Sequence, residues 1–334
     1  MQGFSKKVLV LGSNSFSGSH FVDAALNQGM NIVGISRSKE LATVFLPYKW
    51  KPIKNNQFSF FQYDLNHDLD RILEIIFDYK PDYIVNFAAQ GMVAESWDNP
   101  DQWFMTNTLS AVKLHQRLKD CVFLKKFVQV STPEVYGSSE GNVKESKVYN
   151  PSTPYAVSKA AIDMSLMTFF RQYNFPVVFT RSSNVYGPGQ QLYRIVPKAI
   201  LFFKTGRKLE LHGGGRSVRS FIHIKDVVQG TLKAMHMGKP GKIYHFSTSD
   251  PLSIRSLVKM IAKHTGVLFN KNVIDVNDRS GKDKAYLLDD SRTSGELGWQ
   301  AEISLELGIK ETIEWINHSI DDLKKEKFEY VHTQ

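Results

Sequence analysis

The sequence predicts an α/β protein: a doubly wound parallel sheet followed by a smaller C-terminal α/β domain. Three observations predict it. Short apolar runs alternate with amphipathic helical stretches from Lys7 to Arg181, the pattern of parallel strands joined by crossover helices. The first run leads straight into a glycine-bearing turn, Gly12-Ser13-Asn14-Ser15-Phe16-Ser17-Gly18, that opens a helix. Gly12, Ser36, Asp64, Ala88, Thr132 and Arg181 all fall at the carboxyl ends of the runs, where sheets of this kind bind ligands.

The elements follow in order. Lys7 to Leu11 is the first strand, a helix runs to about Gln28, and Asn31 to Ile35 is the second strand. Strand, glycine turn, helix and strand open a Rossmann-type dinucleotide fold. The first glycine permits the tight turn and the last lets the helix pack on the strand, while free N–H groups at the helix start receive a pyrophosphate. Residues Gly12, Asn14, Ser15, Phe16, Ser17 and Gly18 are the candidate phosphate loop. Ser15 replaces the usual middle glycine, which narrows the space and adds a hydroxyl. At the end of the second strand an acid would select NAD through the ribose 2′-hydroxyl. Here stand Ser36-Arg37-Ser38, which suit a 2′-phosphate, so NADP is expected, with NAD as the alternative.

Residues 47 to 57 read as a basic, proline-marked loop. Phe58 to Tyr63 is the third strand, closed by Asp64-Leu65, and a helix spans about Leu69 to Tyr79. Tyr83 to Phe87 is the fourth strand, ending at Ala88-Ala89-Gln90, whose small residues let a nucleotide lie against the backbone. Thr106 to Lys119 reads as one long helix, Lys126 to Val130 as the fifth strand and Pro176 to Arg181 as the sixth. Beyond Asn184 the texture changes. Ile195 to Lys204, Ser253 to His264 and Leu305 to His318 read as helices, and Lys242 to Ser247 as a strand that returns to the sheet. The expected division is residues 1–181 with 221–248 as the dinucleotide domain and 182–220 with 249–334 as the substrate domain, a cleft between them.

Composition narrows the function classes. A chain of 334 residues with 42% hydrophobic content has ample core. The single cysteine, Cys121, excludes an internal disulfide. Lys6-Lys7 is followed by only four apolar residues before Gly12, too short for a signal segment, and no stretch approaches a membrane span. A cytoplasmic protein is expected. The net charge is +9, but basic residues are interleaved with acids, as in Asp321-Asp322-Leu323-Lys324-Lys325-Glu326. No nucleic-acid partner, membrane partner or metal site is expected.

The chemistry concentrates between Ser131 and Lys159. A hydroxyl and a carboxylate, Thr132 and Glu134, follow the fifth strand. Pro154 then opens a helix that carries Tyr155 and Lys159 four apart, on one face. An ammonium beside a phenol favours the phenolate, which makes Tyr155 a candidate general base. Alone, the pair reads as a surface tyrosine with a solvated lysine; beside a hydride carrier it gains meaning.

These residues resemble the extended short-chain dehydrogenases/reductases, specifically the nucleotide-sugar 4,6-dehydratases. Ser131-Thr132-Pro133-Glu134-Val135-Tyr136-Gly137 is similar to the dehydratase strand end, and Tyr155-Ala156-Val157-Ser158-Lys159 to the Tyr-x-x-x-Lys signature. Ala88-Ala89-Gln90 and Gly34-Ile35-Ser36-Arg37-Ser38 resemble the GDP-mannose group, whereas Asp278-Arg279-Ser280-Gly281-Lys282-Asp283 and Leu297-Gly298-Trp299 resemble the dTDP-glucose group. The resemblance implies that Tyr155 oxidises the sugar at C4, that Lys159 tunes it and holds the nicotinamide ribose, that Thr132 binds the C4 hydroxyl, and that Glu134 removes the C5 proton. It implies Arg219 and Arg279 as a clamp on the substrate diphosphate, with Asn184 and Arg194 nearby, and a homodimer through a four-helix bundle. Leu109, Val112, Leu114, Leu166, Met167 and Phe170 are the apolar residues expected there, and are equally compatible with ordinary core. Pro133 departs from the aspartate that protonates the leaving C6 hydroxyl in dTDP-glucose enzymes; Glu134 or a water must serve instead.

The expected product is a nucleotide-linked 4-keto-6-deoxy sugar. A 4-epimerase on the same fold needs Tyr155 and Lys159 but not Glu134. A 5,6-dehydratase would stop at the alkene. A non-catalytic NADP-binding scaffold would not need to keep both Tyr155 and Lys159.

Overall fold

A computed structural model describes residues 6–52, 57–138, 141–277 and 287–332. Seven strands form one parallel sheet in the order Ile243–Phe246, Val177–Ser182, Lys126–Val130, Tyr83–Asn86, Lys7–Leu11, Asn31–Ser36 and Phe58–Gln62. Val8 to Leu11 are buried without alternation because helices cover both faces, as parallel sheets require. The helices Leu69–Tyr79, Ala111–Leu118 and Pro154–Tyr173 share one core with the sheet, and Phe16–Asn27 and Ile224–Met237 the other. The strand order reverses at Lys7–Leu11, which pairs with Asn31–Ser36 on one side and Tyr83–Asn86 on the other. That switch point opens a crevice above the glycine turn.

The expected returning strand is Ile243–Phe246, which extends the sheet by parallel pairing to Val177–Ser182. The long helix expected from Thr106 is instead composite. Helix begins at Pro100–Phe104, widens into a π-helical stretch at Met105–Ser110 and resumes at Ala111–Leu118. From within the widened turn the Asn107 side chain bonds outside its own helix. Its Oδ1 accepts the Gln90 N–H at 2.8 Å, and its Nδ2 donates to the Gln90 carbonyl at 3.0 Å and to Ser158 Oγ at 2.9 Å.

A second core joins Ile195–Lys204, Ile254–Thr265 and Leu305–Leu323 through Val196, Ile200, Leu257, Ile261, Ile309 and Ile316. A parallel ribbon, Leu209–His212 beside Val273–Val276, flanks it. Phe45 joins this core and packs on Trp315, whose indole N–H donates to the Val44 carbonyl at 3.2 Å. Helix Ser291–Leu297 and Trp299, placed by sequence with the substrate domain, pack on the outer strand of the sheet with Tyr244 and Phe246. Among the described residues no helix is long and apolar enough to cross a membrane.

Candidate active site

One cavity of about 1190 Å³ runs above the strand ends, from the glycine turn to the ribbon of the second core. That exceeds the space one small ligand fills.

At its first end the backbone is compressed to a degree only glycine tolerates. Gly12 has φ +78°, and a Cβ there would lie 2.6 Å from the Ala88 nitrogen; one on Gly18 would lie 2.2 Å from the Gly12 carbonyl oxygen. Ser15 has a structural job the sequence reading missed. It caps the helix Phe16–Asn27, its hydroxyl oxygen accepting the Gly18 N–H at 3.0 Å. The first-turn N–H groups of Phe16 and Ser17 stay outside the helical ladder at the cavity wall. Ser36 Oγ accepts the Asn14 N–H at 2.9 Å, and the Asn14 amide donates to the carbonyls of Ser38 and Lys39, both at 2.9 Å. This ties the segment after the second strand to the glycine turn. Arg37 and Ser38 line the cavity beside it. The buried Asn14 Oδ1 has no donor among the described residues, a position a ligand hydroxyl would satisfy. Asp64, Leu65, Ala88, Ala89 and Gln90 line the same end. The cradle, the orphaned acceptor and the free helix N–H groups fit a dinucleotide.

In the middle stand the candidate catalytic residues. Strand Lys126–Val130 delivers Thr132, whose extended backbone caps a 3₁₀ turn over Pro133–Tyr136. Thr132 Oγ1 accepts the Glu134 N–H at 3.3 Å. Pro133 at the first position of that turn needs no N–H partner. Thr153 caps helix Pro154–Tyr173 through the Ala156 N–H at 3.2 Å, which sets Tyr155 in the first turn and Lys159 one turn on. Thr132, Glu134, Tyr155 and Lys159 all line the cavity.

Lys159 is 3% exposed, and its ammonium donates to the Val130 carbonyl at 2.8 Å. Burial pushes its pKa down to about 8; Asp163 opposes that shift and Arg181 adds to it. Behind it lies a buried ion pair. Arg181 and Asp163 meet at 2.7 Å with both side chains at 0% exposure. Ser131 Oγ donates to the same Asp163 oxygen at 2.6 Å, and the Arg181 guanidinium lies 4.6 Å from the Tyr136 ring centroid and donates to the Tyr149 hydroxyl at 3.1 Å. Tyr136 meets His245 at 2.9 Å, and burial holds that imidazole neutral, its pKa pushed to about 3. The sequence pattern places Arg181 at the ligand face. It points instead into the layer between sheet and helix, because its strand continues to Ser182 and Asp163 draws the guanidinium inward. Asp163 was missed altogether, although it repeats the spacing of four from Lys159.

Asn184, Arg194 and Arg219 line the far end. Arg219 is fixed by donating to its neighbour's carbonyl, Val218, at 2.7 Å, and Arg194 precedes helix Ile195–Lys204 with its guanidinium 5.5 Å from the Tyr193 ring. Arg279, the other half of the expected clamp, lies outside the described residues, with the rest of its motif. Tyr193, Lys198 and Tyr330 also line this end; no motif marked them.

Residues 9–312 match the family model described as GDP-mannose 4,6 dehydratase. A human relative, dTDP-D-glucose 4,6-dehydratase, is 34% identical over 330 residues, covering 96% of this chain and 93% of its own. The crystal structure of dTDP-glucose 4,6-dehydratase from Bacillus anthracis in complex with NAD superposes with a TM-score of 0.86 at 27% identity, covering 96% of this chain and 99% of that one. UDP-glucose 4-epimerase from Thermotoga maritima, with UDP-glucose, reaches 0.85 at 26% identity over 94% and 99%. The fold is thus common to both chemistries, and the human relative is named as a dehydratase. The chain belongs to the GDP-mannose 4,6 dehydratase family, as a nucleotide-sugar 4,6-dehydratase of the extended short-chain dehydrogenase/reductase type.

Proposed function

We propose that the chain converts an NDP-hexose to an NDP-4-keto-6-deoxyhexose by internal hydride transfer, with NADP as the bound dinucleotide and a second copy of the chain as partner. The observation that carries the reading is the carboxylate of Glu134 in one cavity with Tyr155, Lys159 and Thr132. An epimerase has no use for an acid there.

Tyr155 takes the proton of the C4 hydroxyl, with the Lys159 ammonium favouring its phenolate. Thr132 holds the C4 oxygen. A nicotinamide bound in the cradle would take hydride from C4 and return it to C6, with a proton from solvent restoring the C5–H at that step. Oxidation at C4 acidifies the C5 proton, which Glu134 removes. Pro133 is buried and has no proton to donate, so Glu134 passes its proton to the C6 hydroxyl and water leaves. Arg219 and Arg194 bind the diphosphate, where guanidinium donors match phosphate oxygens. Support for NADP comes from the missing acid at Ser36 and from Arg37 on the cavity wall.

Support for a dimer comes from exposed apolar side chains. Phe104, Met105, Leu109, Val157 and Met164 stay 37–51% exposed on the helices between Pro100 and Tyr173. Leu114, Leu166 and Met167 are buried in the chain's own core and cannot serve an interface.

The test uses purified protein with UDP-, dTDP-, CDP- and GDP-hexoses and no added cofactor. Loss of one water in one lane, a C6 methyl signal in the product, and NADP released on denaturation are the expected results. A C5–C6 alkene product would favour the 5,6-dehydratase, and unchanged mass with inverted C4 the epimerase. NAD on denaturation would overturn the cofactor choice alone.

A further inference from the structure

The helix Leu305–Leu323 contributes nothing to the cavity wall, yet the chain beyond it does. Residues 328–332 have no regular structure, and their side chains touch both lobes. On the substrate side the Phe328 ring packs against Phe202 at 6.2 Å, Lys198 donates to Glu329 at 2.8 Å, and the Tyr330 ring meets Tyr193 edge-on at 5.4 Å. On the sheet side the His332 ring stacks on Trp103 with centroids 5.1 Å apart and planes 12° from parallel. His332 Nε2 lies 2.6 Å from Gln102 Oε1, and its Nδ1 lies 3.2 Å from the Tyr330 hydroxyl. One tautomer satisfies both bonds: Nε2–H donates to Gln102 and Nδ1 accepts from Tyr330.

Glu329 and Tyr330 form part of the cavity wall. Burial raises the Tyr330 pKa and Tyr193 and Glu95 add to the rise, while Arg37, from the dinucleotide end, and Arg194, from the substrate end, oppose it. Arg37 and Arg194 line the same cavity as Tyr330, and guanidinium donors suit the phosphate oxygens of a nucleotide. Among the described residues no backbone hydrogen bond joins residues 327–332 to either lobe. The segment can therefore lift by giving up side-chain contacts alone. It also lies beyond residue 312, where the family match ends.

We propose that residues 328–332 are a strap that closes the cavity over its ligands, with Tyr330 as a nucleotide-binding residue and His332 as the latch on Trp103 and Gln102. The strap must lift before a nucleotide leaves. This rests on the dinucleotide reading of the cavity, and it is tested without turnover.

The experiment loads the full chain with NADPH and follows its release by fluorescence after dilution into excess NADP. His332→Ala is expected to speed release about tenfold with unchanged thermal stability. Tyr330→Ala is expected to speed release and also to weaken equilibrium binding. Release at the wild-type rate in both variants overturns the strap. A wild-type chain that binds neither NADPH nor NADH overturns the dinucleotide reading, and the strap with it.

Discussion

Replacing Lys159 by Met should stabilise the folded protein while disabling it, and the stabilisation should vanish with rising pH. Lys159 is 3% exposed and its pKa is held at about 8, against 10.5 for an ordinary lysine. At roughly 1.4 kcal/mol per pKa unit, keeping that ammonium charged inside the fold costs about 3 kcal/mol. Below pH 8 folded and unfolded chains both hold the proton, so the cost is fully present. Between pH 8 and 10.5 the unfolded chain binds more protons than the folded one, so wild-type stability rises with pH. Methionine replaces the apolar stem as far as Cε and omits the charged nitrogen. It forfeits the hydrogen bond to Val130, about 1 kcal/mol. Lys159→Met should therefore unfold about 2 kcal/mol harder at pH 7 and lose that advantage by about pH 10.5. The assay is urea unfolding of dinucleotide-free wild type and variant across that range; titrations shared by the two proteins cancel in the difference. Turnover should fall by roughly 10²–10⁴. A stability difference that stays flat with pH, or a variant weaker than wild type at pH 7, would refute the reasoning.

Other outcomes follow from the same geometry. Asp163→Asn strips the fully buried Arg181 of its counter-charge, and should lower unfolding free energy by about 3–5 kcal/mol in denaturant melts; a loss within experimental error would show that the pair is not the anchor of the strand end. Met164→Glu puts a charge on the exposed apolar face, and sedimentation should then find a monomer that keeps its fold. An unchanged oligomer would place the interface elsewhere.

Much of the sheet was legible because its signals are local. A strand buried on both faces reads as a continuous apolar run, as Val8 to Leu11 does, and the glycine turn announces itself through steric need at Gly12 and Gly18. Tyr155 and Lys159 were legible because four-residue spacing on a helix fixes a common face. What escaped the reading was set by distant partners. Arg181 is drawn from the ligand face by Asp163, 18 residues away in sequence. The π-helical stretch exists where Asn107 reaches Gln90 and Ser158, and nothing between Met105 and Ser110 signals a wider turn. Ser15 looked like a departure from a glycine pattern, yet its hydroxyl caps the helix that the pattern opens. The strap around Tyr330 has no periodicity, so only the folded chain shows that it reaches the cavity.

The most direct test of internal hydride transfer uses the accepted NDP-hexose carrying deuterium at C4. The account predicts loss of one unlabelled water and full retention of the deuterium, relocated to the C6 methyl of the product. It also predicts that Glu134→Gln blocks the loss of water. Product that forms at an undiminished rate with Glu134→Gln, or deuterium that is washed out to the medium instead of appearing at C6, would contradict it.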